Sequence, residues 1–376
     1  MIRCLALALV LLVPPLWNPA RAFDIEARAA ILVDYRNDKV LFAKDPDTPV
    51  PPASMSKLMT ALIVFEELRS GRLSLDQTLP VSEKAWRMGG SRMFVEVNTR
   101  VSVADLLRGV IVQSGNDACI VLAEALAGSE QAFVDRMNER ARDLGLTGSH
   151  FANVTGWPDE NHVMSVRDLA RIAYIIIDQY PEFYELYSIR EFEFNGINQT
   201  NRNPLLRADV PGVDGMKTGY TSEAGYGLVA SAERDDRRLI LVVAGTENPA
   251  KRRSESERLL EYGFRNFQEY RIYEKGETVV EVPVWHGEEA TVPLIGRDII
   301  GITLERSERP GLKAKVKYEG PIAAPVSAGQ QLGEVEITLD GKPATTVPLV
   351  AAIDVPRAGI VGRMTGALNY LIWGQD

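Results

Sequence analysis

The chain has 376 residues, of which 45% are hydrophobic and 25% charged, a balance typical of a globular protein with a substantial core. This length predicts roughly two or three domains. The formal net charge is −9, and no run of basic residues forms a face for phosphate groups. Nucleic acid is therefore excluded as an expected partner.

The first 22 residues have the pattern of a secretory signal peptide. A short basic start at residues 1–3 precedes an apolar run at residues 4–17, and residues 20–22 carry the small side chains of a cleavage site. The apolar run is short and is interrupted by Pro14 and Pro15, which argues against a membrane-spanning helix. We expect cleavage after Ala22. Cys119 is then the only cysteine, and its apolar neighbours predict a buried side chain.

Strands and helices alternate in the predicted elements up to residue 267. Strands are expected at residues 29–34, 40–43, 216–221, 226–232 and 239–244. Helices are expected at residues 57–68, 103–126 (interrupted near residues 114–116), 165–180 and 254–267. Strands at both ends of the segment predict an α/β domain whose sheet combines them.

The remainder of the chain has a different character. From about residue 270 to residue 356, short runs rich in Val, Ile and Thr alternate with Pro and Gly, which predicts a small β-sandwich. In residues 357–376, apolar side chains fall on one face of a helical wheel: Ile360, Val361, Met364, Leu368, Leu371 and Ile372. We expect an amphipathic helix that attaches to a membrane surface, the alternative being a terminal helix docked on the protein's own core.

Three short polar motifs occur in a fixed order: Ser54-Met55-Ser56-Lys57, Ser114-Gly115-Asn116 and Lys217-Thr218-Gly219. Each sets a hydroxyl beside a potential cation or amide. A lysine three residues after a serine on a helix can accept the proton of that serine. The chain has only 3 histidines, so lysine replaces histidine as the candidate base.

These motifs resemble those of the penicillin-binding, active-site-serine D-alanyl-D-alanine carboxypeptidases of low molecular mass. Local matches extend to residues 52–60, 114–118, 201–203 and 213–219. The resemblance implies a serine β-lactamase/DD-peptidase-like α/β domain at residues 23–267. After the signal peptide at residues 1–22 and this domain, it implies a β-sandwich domain at residues 268–356 and a membrane-anchor helix at residues 357–376.

The resemblance also implies an activity and a location. The enzyme would remove the terminal D-alanine from peptidoglycan pentapeptide stems, without metal or organic cofactor, and β-lactams would acylate its serine. It would lie in the periplasm, attached peripherally to the outer face of the inner membrane.

Site roles follow from the same resemblance. Ser54 would be the nucleophile, Lys57 its proton acceptor, and Ser114 a proton relay to the leaving D-alanine. Asn116 would hold Lys57 and the substrate backbone. The alternative for Ser114 and Asn116 is simple capping of a helix.

A second group of residues would bind the substrate. Lys217, Thr218 and Arg202 would bind its terminal carboxylate. The backbone N–H groups of Ser54 and of Tyr220, just past Gly219, would form the oxyanion hole. The alternative for Arg202 is a surface salt bridge, and the loop at residues 87–92 either borders the site or is a plain flexible loop.

Three other functions share some of these features. A class A β-lactamase needs a glutamate in an E-x-x-L-N segment, which is absent between the second and third motifs, and Glu160 is a poor substitute. A zinc peptidase would draw on His150, Asp159 and His162, which lack the usual ligand spacing. A non-catalytic scaffold that binds peptidoglycan is the third, although no reactive group is missing.

Overall fold

A computed structural model describes residues 23–359 of the chain. The predicted signal peptide and all but the first three residues of the predicted amphipathic segment lie outside this range. The first part contains the strands β1 Ala29–Asp34, β2 Val40–Lys44, β3 Thr78–Pro80, β4 Arg100–Ser102, β5 Glu191–Phe194, β6 Ile197–Thr200, β7 Val213–Thr221, β8 Gly225–Arg234 and β9 Arg237–Thr246. Its helices are α1 Lys57–Arg69, α2 Glu83–Arg87, α3 Val103–Arg108, α4 Asn116–Ala127, α5 Glu130–Asp143, α6 Val166–Gln179, α7 Pro181–Tyr184, α8 Pro204–Arg207 and α9 Pro249–Asn266.

The main sheet has the strand order β2-β1-β9-β8-β7, and all of its neighbouring strands are antiparallel. The pairing of Ile31 with Val242 joins the two ends of the segment, which confirms the prediction of a combined sheet. Alternate residues of β1 belong to different apolar cores. Ile31 packs with α1 and α6, and Leu32 packs with α9. Helices therefore cover both faces of the sheet, and its centre is buried.

Two helices lie in the middle of the larger core. In α1 both the predicted apolar residues, such as Leu62, and the residues between them, such as Ile63, are buried, which is typical of a helix surrounded by protein. Helix α4 is also buried, and Cys119 within it is inaccessible to solvent, as predicted. Ser165 caps α6 by accepting the N–H of Asp168 at 3.1 Å, which confirms the predicted start.

Helix α9 begins earlier than predicted. The side chain of Asn248 accepts the N–H of Lys251 at 2.8 Å, and Pro249 occupies the first helical position. Both features are standard signals of a helix start. They lie before the apolar pattern from which the start at residue 254 was predicted.

The second part of the chain is all-β, as predicted. Its strands are β10 Phe267–Tyr273, β11 Thr278–Trp285, β12 Thr291–Gly296, β13 Ile300–Glu305, β14 Leu312–Tyr318, β15 Ile322–Ala323, β16 Gln331–Leu339 and β17 Lys342–Ala351. They form a six-stranded sheet in the order β14-β16-β17-β12-β11-β15 and a two-stranded sheet of β10 and β13. A separate apolar core, which includes Val282, Leu294 and Ile337, packs between them.

The two parts meet at a buried polar junction. Thr303 in β13 donates its hydroxyl to Asp34 Oδ2 at 3.1 Å and accepts from Lys39 Nζ through its carbonyl oxygen at 2.7 Å. Arg237 Nε contacts the same Asp34 oxygen at 2.9 Å. Asp34 and Thr303 are both buried. The bonds of Thr303 to Asp34 and Lys39 cross between the parts, and because buried polar groups are costly to leave without partners, this junction holds the two parts together.

Within residues 23–359, no helix combines the length and the apolar character that crossing a membrane requires.

Candidate active site

Ser54 lies in a 3-10 turn, Ala53–Ser56, directly before α1. Lys57 is the first residue of α1, and its Nζ lies 2.8 Å from Ser54 Oγ. This geometry confirms the predicted position of the serine at a helix start, with the lysine within reach. The positive end of the helix dipole stabilises negative charge that develops at Ser54.

Lys57 is almost completely buried. Its Nζ donates to the carbonyl oxygen of Thr155 as well as contacting Ser54. Burial lowers the pKa of Lys57 to about 8, because an ammonium is costly away from water. A substantial fraction of this amine is therefore neutral near pH 8 and able to accept a proton. Thr155 was not predicted from the sequence, because a carbonyl contact leaves no trace in residue type.

The second motif occupies a break between two helices, as predicted. A π-helical turn, Gly109–Gln113, follows α3, and Ser114 then adopts a left-handed backbone conformation with φ of 65° before α4 begins. This conformation turns the Ser114 hydroxyl toward β7, where Lys217 Nζ contacts it at 2.9 Å. The second and third motifs therefore meet through side chains that are far apart in the sequence.

Lys217 is buried beside other cations. Its Nζ also donates to the carbonyl oxygen of Thr218 at 3.1 Å. Burial, followed by the nearby charges of Lys57 and Arg202, lowers the pKa of Lys217 well below its ordinary value. An anion that enters between these groups would neutralise a cluster that is otherwise repulsive.

Gly219 allows the end of β7 to approach the serine turn. A Cβ at this position would lie 2.7 Å from the carbonyl oxygen of Pro52 and 3.2 Å from Cβ of Ala53. Any side chain would therefore separate the strand from the turn. Tyr220 follows Gly219 directly, and its exposed ring stacks on Tyr226 with the ring centroids 4.1 Å apart.

Asn116 differs from its prediction in one respect. Its Nδ2 donates to the carbonyl oxygen of Gly89 at 2.9 Å, whereas Lys57 Nζ donates to Ser54 and Thr155. Asn116 is thus not seen to hold Lys57. Its Oδ1 is buried and has no partner among the described residues. An unpartnered acceptor is costly, and such groups are typical of sites that a ligand completes.

The loop that precedes β4 is part of the site and is well anchored. The carbonyl oxygen of Ser91 accepts the N–H of Asn116 at 2.7 Å, and Arg202 donates to Ser91 Oγ at 2.6 Å. The Asp117 carboxylate accepts three consecutive N–H groups, those of Met93 (3.0 Å), Phe94 (2.9 Å) and Val95 (3.2 Å). These bonds tie the loop to the second motif, so the loop borders Asn116, and the exposed Arg202 has no ion pair among the described residues.

The residues of the zinc alternative have structural contacts. His150 Nδ1 contacts the carbonyl oxygen of Asn161 at 2.7 Å, and His162 Nδ1 accepts the N–H of Ala152 at 3.2 Å. Burial lowers the pKa of His162 to about 4, so its ring is neutral at neutral pH. The described part of the chain has no group of three or more His, Cys, Asp or Glu side chains arranged to hold a metal ion. Glu160 is exposed, which does not suit a base for water in the cleft.

Known proteins are similar to this chain in both sequence and fold. A family model described as D-alanyl-D-alanine carboxypeptidase matches residues 17–248, and one described as penicillin-binding protein 5, C-terminal domain, matches residues 267–357. The chain is 40% identical over 348 residues to D-alanyl-D-alanine carboxypeptidase DacC of Escherichia coli (strain K12), an alignment that covers 91% of this chain and 87% of the relative.

Two solved structures extend the comparison. Penicillin-binding protein 5 from Haemophilus influenzae superposes with a TM-score of 0.81 at 40% identity and covers 89% of this chain and 98% of its own. Penicillin-binding protein D2 from Listeria monocytogenes, solved in its ampicillin-bound form, has a TM-score of 0.59 at 31% identity and covers 65% of this chain and 99% of its own. The family match spans most of the chain, and the E. coli relative aligns along most of its length. The chain therefore belongs to the D-alanyl-D-alanine carboxypeptidase family and is a serine-type enzyme of that activity.

Proposed function

We propose that Ser54 carries the acyl group during removal of the terminal D-alanine. The Ser54 oxygen forms a bond to the carbonyl carbon of the penultimate D-alanine, and its proton passes to neutral Lys57. The C–N bond then breaks, and the leaving amine takes the proton from Lys57 through the Ser114 hydroxyl. Water attacks the resulting ester and gives a proton to Lys57, which passes it to the Ser54 oxygen as the ester bond breaks and the shortened peptide leaves. The observation that carries this proposal is the 2.8 Å contact between Lys57 Nζ and Ser54 Oγ in a buried setting that lowers the lysine pKa.

The remaining site residues bind the charged and polar groups of the substrate. Lys217, Thr218 and Arg202 bind the terminal carboxylate, which enters the repulsive cluster of cations and relieves it. The N–H groups of Ser54 and Tyr220 hold the oxyanion, since Gly219 brings strand and turn together. The Asn116 amide accepts a substrate N–H at its unpartnered oxygen. β-Lactams, which carry a strained amide and a carboxylate, acylate Ser54 as well, and the ampicillin-bound relative supports this.

Recognition of the carboxylate can be tested with a peptide amide. We expect a peptide ending in D-alanyl-D-alanine amide to be hydrolysed with kcat/KM lower by about tenfold to hundredfold than the free acid, because charge-assisted hydrogen bonds are lost. Lys217→Gln should shrink that difference, and Lys251→Gln, which changes an exposed lysine paired with Glu26, should preserve it. Equal rates for acid and amide in the unchanged protein would contradict the assignment.

We also propose that the protein is exported and held at the outer face of the inner membrane by the segment at residues 357–376. The signal pattern at residues 1–22 and the apolar face from Ile360 to Ile372 support this proposal. The boundaries at residues 22, 267 and 356 divide signal, catalytic domain, β domain and anchor. The enzyme's substrate is a peptidoglycan stem peptide in the periplasm.

A chain ending at Gly359 tests the anchor without damaging the β domain. Ala358 donates its N–H to the carbonyl oxygen of His286 at 2.8 Å, and Arg357 pairs with Gly287, so both are kept. We expect the full chain to sediment with membranes and the shortened chain to appear in the soluble periplasmic fraction with unchanged penicillin labelling. Leu368→Asp in the full chain should also reduce sedimentation. A shortened chain that still sediments would contradict the anchor.

A further inference from the structure

Trp157 is an exposed aromatic residue at the mouth of the active site. Its side chain is 47% exposed, although large apolar groups usually avoid water. A Cβ on Gly90 would lie 2.8 Å from Trp157 Cζ3 and 2.8 Å from Asn116 Nδ2, so the ring edge and the amide are neighbours. The ring therefore lies against the Gly89–Gly90 backbone and extends the wall of the cleft beyond Asn116.

The position of Trp157 is fixed by its own loop. Asn153 Oδ1 accepts the N–H groups of Thr155 (3.1 Å), Gly156 (2.8 Å) and Trp157 (3.0 Å), and Asn153 Nδ2 donates to the Trp157 carbonyl oxygen at 3.0 Å. Gly156 has φ of 76°, and a Cβ there would lie 2.0 Å from the carbonyl oxygen of Ala53. The Trp157 backbone is thus held in a constant relation to the serine turn, and the ring lies against Gly89 and Gly90, which favours binding because little conformational freedom is lost.

The loop of Trp157 and strand β7 approach the serine turn from different sides. Gly219 faces Cβ of Ala53, whereas Gly156 faces the carbonyl oxygen of the same residue. If Lys217 on β7 binds the substrate's carboxylate, as proposed above, the peptide on the other side of the scissile bond extends toward the wall that Trp157 and Asn116 form.

We propose that Trp157 is a specificity-determining residue, and this rests on the acyl-Ser54 reaction proposed above. Its exposed ring packs against the side chain of the residue that precedes the two D-alanines. The flat indole ring offers a large apolar surface to the aliphatic part of a long side chain. The polar end of that side chain can then stay in water. The enzyme therefore favours substrates with a long side chain at that position over those with a short one.

Two peptides separate this role from catalysis: diacetyl-L-lysyl-D-alanyl-D-alanine and N-acetyl-L-alanyl-D-alanyl-D-alanine. We expect Trp157→Ala to lower kcat/KM for the lysine peptide about tenfold, mainly through KM, with a fall for the alanine peptide at least about fivefold smaller. Trp157→Phe should restore most of the preference, since a ring remains. Trp285→Ala, which changes a tryptophan of 45% exposure in β11, should leave the preference as it is.

Other outcomes would overturn the proposal. An equal fall for both peptides would mean that Trp157 acts only by supporting Thr155 and Lys57, and an unchanged preference would mean that its ring does not contact substrate. Penicillin labelling and thermal unfolding of each variant show whether it is folded. If Trp157→Ala is not folded, the preference of Trp157→Phe between the two peptides tests the proposal instead. If the unchanged protein hydrolysed neither peptide, the fault would lie with the proposed reaction and not with Trp157.

Discussion

Ser54→Ala is expected to abolish both the release of D-alanine and covalent labelling by penicillin. No other hydroxyl shares the contact with Lys57 Nζ, since the described structure places Ser56 Oγ on the carbonyl oxygen of Ala53 instead. Loss of a nucleophile in a serine hydrolase lowers kcat by a factor on the order of 10⁵ or more. Intact-mass measurement after penicillin treatment, followed by mapping of the adduct to a peptide, gives the result directly.

Ser56→Ala is the matched control. The two serines lie in the same turn, but only Ser54 contacts the lysine, whereas Ser56 Oγ donates to the carbonyl oxygen of Ala53. We expect the Ser56 variant to be labelled in full, with the adduct on the peptide that contains residue 54. A labelled Ser54→Ala protein, or an adduct on another residue, would refute the proposed acyl-enzyme.

The second large effect concerns the charge of Lys57. Since burial lowers its pKa to about 8, we expect the rate of acylation by penicillin to rise about tenfold per pH unit below that value and to level off above it. Lys57→Arg keeps the positive charge but supplies a guanidinium that does not lose its proton. Its acylation rate should fall by about 10³-fold or more and should no longer follow this profile.

Stopped-flow acylation between pH 6 and pH 10, a range of about four units chosen around the Lys57 pKa, measures this profile. The stability of the protein should change in the same direction. Because the folded-state pKa lies below the unfolded value of 10.5, the unfolded chain binds more protons between these values, so the free energy of unfolding rises with pH from about 8. Lys57→Met should remove this contribution. A flat acylation profile in the unchanged protein would show that Lys57 is not the base.

Much of this architecture could be predicted because the signals are local. The apolar run of β1, the cap at Ser165 and the S-x-x-K spacing each fix an element from neighbouring residues. The start of α9 was placed too late because Asn248 and Pro249 lie outside its apolar pattern. Signals of that kind are found only when caps are sought beyond the periodic residues.

The sequence indicates which residues form the site more readily than it indicates which atoms each of them contacts. Ser54 and Lys57 are three residues apart in sequence, whereas Ser114 and Lys217 meet only through tertiary structure and were grouped by resemblance. Thr155 contributes a carbonyl oxygen that every residue has, so no sequence signal marks it. Asp117 could have been found, since an acid directly after Asn116 is an available acceptor for nearby N–H groups.

The buried contact between Asp34 and Thr303 has a consequence for the relative orientation of the two parts of the enzyme. Contacts that are shielded from solvent are little weakened by dissolved ions. Because Thr303 of β13 donates to the buried carboxylate of Asp34 in β1, the orientation of β13 against β1 should be the same in dilute and concentrated salt. The catalytic part and the all-β part should therefore keep one relative orientation as the salt concentration changes.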